Sequence, residues 1–349
     1  MFRSPSGPDS LTLMVRVSRM YYEQGLTQQQ IARATRLSRP TISRLLERAR
    51  RAGIVEIRVL DPVRDAASLA ATLTRRFGLR EVVLAGAAPG TGGDPRQQVG
   101  RLVAEYLQRL LRDGMTLGVS WGKTLREMAL ALKPAHLANL TVVQMMGSLA
   151  ALADSVETTG LAQEVGRILG SKTVQFLAPA LVEDLELRRR ILSTPEVRQA
   201  MEYLHRLDAA VVGIGAISPH VPLVERGYFS AAAMERYRRL GARGEMLLQF
   251  FDGHGRPILD LNRRVVGMSL SDLARVPLVI AGVSGPPDKS EAILAALRGR
   301  LFHVLITDIE TARRVLERAD EDGPAARRAA RTPRGPHGRP ARKRTTRAQ

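Results

Sequence analysis

The 349-residue chain contains no cysteine, which excludes disulfides, thiolate metal ligands and a cysteine nucleophile. Aromatic residues make up only 4% of the chain, with a single tryptophan. No uninterrupted apolar run approaches the roughly 20 residues that cross a bilayer. Residues 1–10 also lack the apolar core of a signal peptide. We therefore expect a cytoplasmic protein that has no contact with a membrane.

Lysine is also scarce, because 5 lysines accompany 48 arginines, and the net charge is +19. Residues 1–60 carry +7 and residues 323–349 carry +9, which leaves +3 for residues 61–322. Two basic ends around a nearly neutral middle favour nucleic acid as a partner. A genome that prefers arginine on solvated surfaces would give a similar count, so the charge alone leaves both interpretations open.

After Gly78 the hydrophobic pattern alternates between short strands and amphipathic helices. Eight apolar segments are typical of strands: EVVLAG, MTLGVS, TVVQMM, TVQFLA, AAVVGIG, MLLQFF, PLVIAG and FHVLIT. Helical patterns precede or separate them at residues 64–77, 96–112, 124–132, 157–169, 184–206 and 288–298. This alternation predicts an α/β fold with a mainly parallel sheet and helices on both faces.

The first 60 residues have a different pattern, with three short helices and then a short strand in GIVEIRVLDP. Thr27 and Gln30 fit a capping box at the start of the second helix. Ser38 is a candidate cap for the third helix, with Pro40 in its first turn. The small Ala32 would lie where these two helices cross. The predicted core face of the third helix consists of Ile42, Leu45, Leu46 and Ala49. The spacing and the short turn are typical of a helix-turn-helix.

The outward face of the third helix is basic and carries hydroxyl groups: Arg39, Thr41, Ser43, Arg44, Arg48 and Arg51. Arginine and hydroxyl side chains bind phosphates and base edges, so we predict that this surface binds DNA. The alternative is a small helical bundle whose polar face is only solvated. Arg36 lies in the turn where such motifs often have a left-handed glycine, at a cost on the order of 1 kcal/mol. The predicted DNA-binding residues are Thr27, Gln28, Ser38, Arg39, Pro40, Thr41, Ser43, Arg44 and Arg48.

The segment YYEQGLTQQQIARATRLSRPTISRLLERARRAGIVEIRV resembles the N-terminal domain of SorC-type sugar-binding transcriptional regulators. The resemblance covers about residues 11–318 and continues through GVSWGKTL, DAAVVGIGAIS, RGYFS, FFDGHGRPI, LNRRVVGMSLSDL, DKSEAILAALRGR and VLITDIETARRVL. It implies a helix-turn-helix joined to an effector domain that is similar to sugar-phosphate isomerases. It also implies a dimer or tetramer whose hold on operator DNA is altered by a phosphorylated sugar.

These observations divide the chain into four predicted segments. They are a disordered N-terminus at 1–10, a helix-turn-helix DNA-binding domain at 11–60, a sugar-binding effector and oligomerisation domain at 61–322, and a basic tail at 323–349. The tail has almost no large apolar group, so we expect it to be disordered. The expected partners are operator DNA, a phosphorylated sugar and further copies of the chain. No cofactor and no metal are expected.

The segment MTLGVSWGKTLREMALAL is typical of a strand, a glycine-bearing loop and a helix. Backbone amides at such a helix N-terminus can bind phosphate, and Lys123 and the Thr124 hydroxyl would add contacts. A nucleotide-binding P-loop requires glycine, four residues, then Gly-Lys-Ser/Thr. Here Gly118 is one residue too close to Gly122, and Leu117 holds the required position. Nucleotide hydrolysis is therefore disfavoured, and an ordinary strand-to-helix turn is the alternative to a phosphate site.

Two further charged residues are candidates for the effector site. In PPDKSEAILAAL, Asp288 would cap a helix and leave Lys289 in its first turn, where the helix dipole disfavours a cation unless an anion is near. Glu245 matches the acidic residue that SorC-type regulators carry before the following strand. From the residues alone, each is equally well explained as an exposed surface charge. The resemblance implies that both contact the effector.

Ligands of open α/β sheets collect at the carboxyl ends of strands. Gly147 and Ser148 end one predicted strand, and Gly213 and Gly215 end another, so we expect them to line the pocket. The alternative for each glycine is a turn with unusual dihedral angles. The predicted effector-binding residues are Ser120, Trp121, Gly122, Lys123, Thr124, Gly147, Ser148, Gly213, Gly215, Glu245 and Lys289.

No catalytic residue is predicted. The six histidines are scattered along the chain, and the HExxH and GxSxG motifs are absent. Asp252 and His254, in FDGHG, are typical of a turn. Two competing interpretations remain: a sugar-phosphate isomerase or related hydrolase fused to a DNA-binding module, and a nucleotide-dependent regulator that uses the 118–124 loop. An isomerase requires a positioned acid/base pair, and the sequence shows no convincing one.

Overall fold

The structure, a computed structural model, describes residues 8–56, 62–86, 93–135, 137–148, 160–225 and 227–322. The chain divides into two compact units, residues 1–61 and 62–349. None of the described helices combines the length and the hydropathy needed to cross a membrane. The predicted disorder of residues 1–7 and 323–349 lies outside the described residues.

The first unit contains the three predicted helices, α1 (Pro8–Tyr22), α2 (Gln28–Thr35) and α3 (Arg39–Arg51). The capping box is confirmed, because the Gln30 amide donates to the Thr27 hydroxyl at 3.3 Å and the Gln30 side chain accepts from the Thr27 amide at 2.9 Å. Ser38 caps α3 by accepting from the Thr41 amide. Arg36 has a left-handed backbone, with φ 54° and ψ 29°, as the short turn requires.

The core of this unit follows the predicted pattern. The four apolar residues on the inner face of α3 are all buried: Ile42, Leu45, Leu46 and Ala49. They pack with Val17 of α1 and Ile31 of α2, and both of those side chains are fully buried. One expectation is wrong: α1 begins at Pro8, inside the stretch that we expected to be disordered. Proline is favoured in the first turn of a helix because its missing N–H costs nothing there.

The second unit has these strands among its described residues: β1 (Glu81–Ala85), β2 (Thr116–Val119), β3 (Thr141–Gln144), β4 (Lys172–Val174), β5 (Ala209–Val212), β6 (Gly215–Ala216), β7 (Gly244–Met246), β8 (Gln249–Phe251), β9 (Val279–Gly282) and β10 (Val304–Asp308). Seven of them form a sheet in the order β1-β10-β9-β5-β2-β3-β4, and every neighbouring pair is parallel. The central strands β5, β9 and β10 are entirely buried, as expected when helices cover both faces. The predicted α/β fold with a mainly parallel sheet is confirmed.

Among its described residues this unit has the helices α4 (Pro62–Phe77), α5 (Pro95–Leu110), α6 (Lys123–Ala131), α7 (Leu161–Ile168), α8 (Leu185–Ser193), α9 (Pro195–Leu204), α10 (Pro222–Glu225), α11 (Ala231–Arg239), α12 (Leu259–Asn262), α13 (Leu270–Leu273), α14 (Lys289–Arg298) and α15 (Ile309–Glu321). Buried residues of the second unit form two apolar clusters. Strand β5 contributes Ala210 and Val212 to one cluster and Ala209 and Val211 to the other, because successive side chains of a strand point to opposite faces.

The order of the strands creates a switch point in the sheet. From β2 the chain continues to β3 and β4 on one side, and from β5 it continues to β9 and β10 on the other. Strands β2 and β5 are neighbours, so the connections that leave their carboxyl ends diverge. A crevice forms at such a point, and ligands of open α/β sheets bind there.

The segment MLLQFF is not the single strand that we predicted, because it contains the end of β7, a turn and all of β8, which form a hairpin in a second sheet. This antiparallel sheet has the order β6-β7-β8, and the chain reverses at Leu247 and Leu248, both with φ 58°. Both leucines are buried, so their apolar character imitated a strand pattern. A left-handed leucine costs about 1–2 kcal/mol. The Leu248 amide offsets part of this by donating to the Glu245 carboxylate at 3.0 Å.

Three other expectations were wrong in part. The helix predicted at 184–206 is interrupted at Thr194, which is extended because Pro195 follows it. The strand predicted in TVQFLA ends at Val174. The strand predicted in GIVEIRVLDP is not formed by residues 53–56, and residues 57–61 lie outside the described part of the chain.

Candidate effector pocket and DNA-binding helix

The exposed face of α3 has the predicted basic character. Arg39, Ser43, Arg44 and Arg48 are exposed, and Thr41 is half-buried. Arg51 pairs with Glu47 one turn earlier, at 2.6 Å. Arg39, Arg44 and Arg48 form no ion pair with any described residue. Their guanidinium groups are therefore available to phosphates and base edges.

Thr27 and Ser38 cap the N-termini of α2 and α3. Each hydroxyl accepts from a backbone amide at the start of its helix, Thr27 for α2 and Ser38 for α3. Their side chains and Pro40 are exposed, whereas Gln28 is half-buried. These four residues therefore lie at the N-termini of α2 and α3, where backbone amides attract phosphate.

The second unit holds a pocket of about 520 Å³ at the switch point of the sheet. Its walls include the carboxyl ends of β2, β5, β9 and β10 and the N-termini of four helices longer than one turn, α5, α6, α14 and α15. Helix N-termini carry partial positive charge, so four of them around one cavity favour an anionic ligand. The pocket includes nine of the predicted effector residues: Ser120, Trp121, Gly122, Lys123, Thr124, Gly213, Gly215, Glu245 and Lys289.

The four helix N-termini differ in how their first amides are satisfied. The Asp94 carboxylate caps α5, and the Asp308 carboxylate caps α15. No side chain caps α6 or α14, and these two helices begin with Lys123 and Lys289. The pocket therefore has two capped helix ends without a lysine and two uncapped ends that each begin with one.

The start of α6 is the more available of the two uncapped ends. No described group accepts a hydrogen bond from the amides of Lys123, Thr124 or Leu125. Gly122 precedes them with φ 137°, a conformation that residues with a side chain rarely adopt. The Lys123 ammonium is exposed and lies 3.8 Å from the Glu225 carboxylate. Uncapped amides, a glycine and a lysine at one helix start can hold a phosphate.

The start of α14 differs, because the first amides of that helix already have acceptors. Lys289 and Ser290 donate to the carbonyls of Pro286 and Pro287 at 3.0 and 3.1 Å. Asp288, which we expected to cap α14, makes no capping bond, because its backbone is helical rather than extended. The contribution of α14 to the pocket is therefore the side chain of Lys289.

Glu245 is a buried pocket residue, so the interpretation as a surface carboxylate is wrong. It lies on β7, the middle strand of the small sheet, with 6% of its surface exposed. Burial raises the pKa of Glu245 from 4.5 to about 7, and the Leu248 amide and Lys289 partly oppose this rise. Burial also lowers the pKa of Lys289, against the opposite effect of Glu245 and Asp288. A buried carboxylate and a partly desolvated ammonium thus share one pocket.

Two predicted residues, Gly147 and Ser148, do not line the pocket. Beyond β3 the chain packs against other backbone, since Ser148 donates to Ala178 and Gly147 donates to Val266. An added side-chain carbon at Gly147 would lie 2.6 Å from the Pro179 carbonyl group. Glycine is therefore needed at 147 for this close approach of the backbone.

Sequence reasoning missed several pocket residues, among them Asp94, Arg96, His220, Ser284, Asp308 and Arg314. Asp94 and Asp308 each precede a helix, and this capping pattern could have located two of the four helix N-termini. Asp308 also accepts from the hydroxyls of Ser284 and Thr311, both at 2.7 Å. Outside the pocket, Asp252 is confirmed as a turn residue, because it accepts from the amides of His254 and Arg256.

Comparisons with known proteins agree with this division into a helical unit and a pocket-bearing unit. Residues 61–317 match the protein family described as "Putative sugar-binding domain", and residues 19–63 match the MarR family. The transcriptional regulator LsrR of Klebsiella pneumoniae is 32% identical over 312 residues, which are 87% of this chain and 92% of that protein. The deoxyribonucleoside regulator of Bacillus subtilis is 29% identical over 303 residues, 86% of this chain and 96% of that protein.

The fold points to the same group of proteins. The crystal structure of the full-length sorbitol operon regulator SorC from Klebsiella pneumoniae aligns with a TM-score of 0.65 and 28% identity. It covers 89% of this chain and 100% of the SorC chain. The chain belongs to the SorC family of sugar-binding transcriptional regulators. The predicted family and the predicted role as a DNA-binding, effector-controlled regulator are therefore confirmed.

Proposed function

We propose that this SorC-family regulator binds a phosphorylated sugar in the pocket at the switch point, and that the bound sugar changes the operator affinity of α3. The observation that carries the proposal is the uncapped start of α6, with Lys123 in its first turn. Phosphate is the biological anion best suited to several converging amides and an ammonium group.

The other end of the ligand is assigned to Glu245 and Lys289. A carboxylate accepts hydrogen bonds from hydroxyls, and an ammonium group donates to hydroxyl or phosphate oxygens. Both side chains line the pocket, where Glu245 is buried with 6% of its surface exposed and Lys289 is half-buried. Hydrogen bonds to charged groups contribute about 1.5–3 kcal/mol each, so a sugar that engages both would be selected over inorganic phosphate.

We propose that the pocket binds its ligand without turnover and that the protein acts as a dimer or tetramer. The relatives described above are named as regulators, LsrR as a transcriptional regulator and SorC as an operon regulator, which supports binding rather than catalysis. Helix-turn-helix dimers read two half-sites about 34 Å apart, which supports an oligomer. NMR of recovered ligand should show no isomerised or hydrolysed product, and ATP should remain intact.

A thermal-shift screen tests the proposed ligand class. Glucose 6-phosphate, fructose 6-phosphate and ribose 5-phosphate would each be compared with the corresponding free sugar and with ATP. A ligand that binds only the folded state adds about 2.7 kcal/mol of apparent stability at a hundredfold excess over Kd. We expect at least one sugar phosphate to stabilise the protein where its free sugar does not. Equal shifts with phosphorylated and free sugars would refute the phosphate assignment.

Arg44 should contribute to operator readout, because it is exposed on α3 and lacks an ion-pair partner among the described residues. We expect Arg44→Ala to cost about 1–3 kcal/mol of operator affinity and to relax discrimination at one base pair, if Arg44 reads a guanine. Fluorescence anisotropy with the operator and single-base variants would measure this. Arg236→Ala, which removes an exposed arginine from the other unit, is the control. Unchanged affinity and specificity would exclude Arg44 from the readout.

The basic tail should add affinity without sequence preference. Residues 323–349 carry nine positive charges and no acidic residue, so contacts with DNA phosphates would release counterions. We expect deletion of residues 323–349 to flatten the dependence of operator binding on salt while leaving operator preference intact. Binding titrations between about 50 and 200 mM salt cover the range in which such contacts are lost. An unchanged salt slope would show that the tail does not contact DNA.

A further inference from the structure

Gly215 and Glu245 face each other across the small antiparallel sheet. They are directly paired residues on β6 and β7, and both line the pocket. Side chains of paired residues project from the same face of a sheet, with their Cβ atoms about 5 Å apart. A side chain at position 215 would therefore stand beside that of Glu245.

The Glu245 carboxylate occupies the space that a side chain at position 215 would need. A Cβ atom on Gly215 would lie 2.0 Å from Glu245 Oε1, 2.8 Å from Cδ and 2.9 Å from Cγ. These distances are too short for non-bonded atoms. The backbone of Gly215 is not in the left-handed region, so its dihedral angles alone would accept any residue. The requirement for glycine thus comes from Glu245 and not from the turn.

The other oxygen of the carboxylate is held by the strained hairpin. Glu245 Oε2 accepts from the Leu248 amide at 3.0 Å. The left-handed conformation of Leu247 and Leu248 directs that amide back toward β7. The carboxylate is therefore confined between the hairpin amide on one side and the bare backbone of Gly215 on the other. The positive charge of Lys289, on α14, lowers the pKa of this carboxylate.

We propose that Gly215 is a positioning residue for the effector: its missing side chain lets the Glu245 carboxylate lie in the pocket and accept hydrogen bonds from the hydroxyls of the sugar. Gly215 acts through Glu245 and need not contact the ligand. This inference rests on the proposed function, because it assigns the polyol end of the same pocket. It predicts that the smallest possible addition, one methyl group at position 215, disables the carboxylate.

Binding of sugar phosphate is the first measurement. Calorimetry would use whichever of glucose 6-phosphate, fructose 6-phosphate and ribose 5-phosphate binds the wild type most tightly. We expect Gly215→Ala to weaken binding by about tenfold or more, the usual loss for hydrogen bonds to a charged group. Glu245→Ala should weaken it equally, and Gly215→Ala/Glu245→Ala should be no worse than either single variant. Additive losses would overturn the proposal, because they would show that position 215 acts independently of Glu245.

A second measurement needs no ligand, so it separates this inference from the proposed function. Burial of the Glu245 carboxylate makes the free energy of unfolding fall as pH rises toward 8, since burial raises its pKa to about 7. We expect Gly215→Ala, which displaces the carboxylate from its place, to weaken this pH dependence. Gly253→Ala is the control, because a Cβ there meets only Arg243 at 3.8 Å. A pH dependence equal to wild type in Gly215→Ala would overturn the positioning role, whether or not any sugar phosphate binds.

A rescue experiment covers the case in which Gly215→Ala folds poorly. The three atoms nearest to the added Cβ are Cγ, Cδ and Oε1 of Glu245, and Glu245→Ala removes all three. The double variant should therefore regain the stability of Glu245→Ala alone. Glu245→Asp shortens the side chain by one methylene group. When it is added to Gly215→Ala, it should restore part of the sugar-phosphate binding that Gly215→Ala alone loses. A double variant as unstable as Gly215→Ala would place the clash elsewhere and refute the proposal.

Discussion

Glu245→Gln should make the protein more stable than the wild type at alkaline pH while weakening its response to the effector. The carboxylate is buried on β7, and burial raises its pKa from 4.5 to about 7. A group whose pKa is higher in the folded state than in the unfolded state makes its full contribution to the free energy of unfolding at pH values below the unfolded pKa. That support is lost as pH rises through the folded pKa.

The pH window and the magnitude follow from these values. The wild type should lose stability relative to Glu245→Gln between about pH 4.5 and pH 8, because glutamine does not ionise. Each pKa unit corresponds to about 1.36 kcal/mol, so the difference should reach on the order of 3 kcal/mol. Chemical denaturation of both proteins at several pH values gives the difference directly. Taking the variant minus the wild type cancels the other titrating groups.

Two controls make this result specific. Glu235→Gln alters an exposed carboxylate on α11 and should show no such trend. The response of Glu245→Gln to sugar phosphate should fall about tenfold or more, because an amide has one acceptor oxygen where a carboxylate has two. A stability difference that stays constant from pH 5 to pH 8 would show that Glu245 does not titrate in this range.

Lys123→Ala and Lys289→Ala should each shift the effector response of operator binding by about ten- to a hundredfold. The ligand can change DNA binding only through its different affinities for the two states, so weaker ligand contacts require more ligand for the same occupancy. Each lysine supplies charge-assisted hydrogen bonds, which contribute about 1.5–3 kcal/mol. The measurement is operator occupancy against ligand concentration for the wild type and both variants.

The two variants should differ in which part of the ligand they affect. Lys123 lies at the uncapped start of α6, so its loss should mainly reduce the preference for a phosphorylated over a free sugar. Lys289 lies near Glu245, so its loss should weaken binding of the sugar as well. Neither change should alter operator affinity without ligand, since α3 belongs to the other unit.

Lys133→Ala is the matched control for both variants, because Lys133 is exposed just beyond α6 and does not line the pocket. If both pocket variants respond at the wild-type ligand concentration, the effector site lies elsewhere. If only Lys289→Ala needs more ligand for the same operator occupancy, the phosphate binds at the start of α14 and not at the start of α6. These outcomes test the proposed orientation of the ligand as well as its location.

The sequence by itself determined the helix-turn-helix and the class of the larger unit. The caps at Thr27 and Ser38 join residues three apart, so the pattern that forms them is visible in the chain. The core face of α3 repeats at helical spacing, and Arg36 marks the left-handed turn. The alternation of apolar strands and helices predicted the parallel sheet, because fully buried strands are continuous apolar runs.

Only the tertiary structure decided which residues share the pocket. Asp94 and Arg314 lie at opposite ends of the second unit's sequence, yet both line it, because the strand order places β10 beside β9 and β5 beside β2. From the sequence, Glu245 could be either a surface carboxylate or an effector-binding residue. Antiparallel strand pairing places it opposite Gly215 in the interior. The apolar pattern also gave a wrong strand prediction at Leu247 and Leu248, because this buried turn has the amino-acid composition of a strand. Local pattern records burial and capping, whereas long-range strand order decides which buried groups meet.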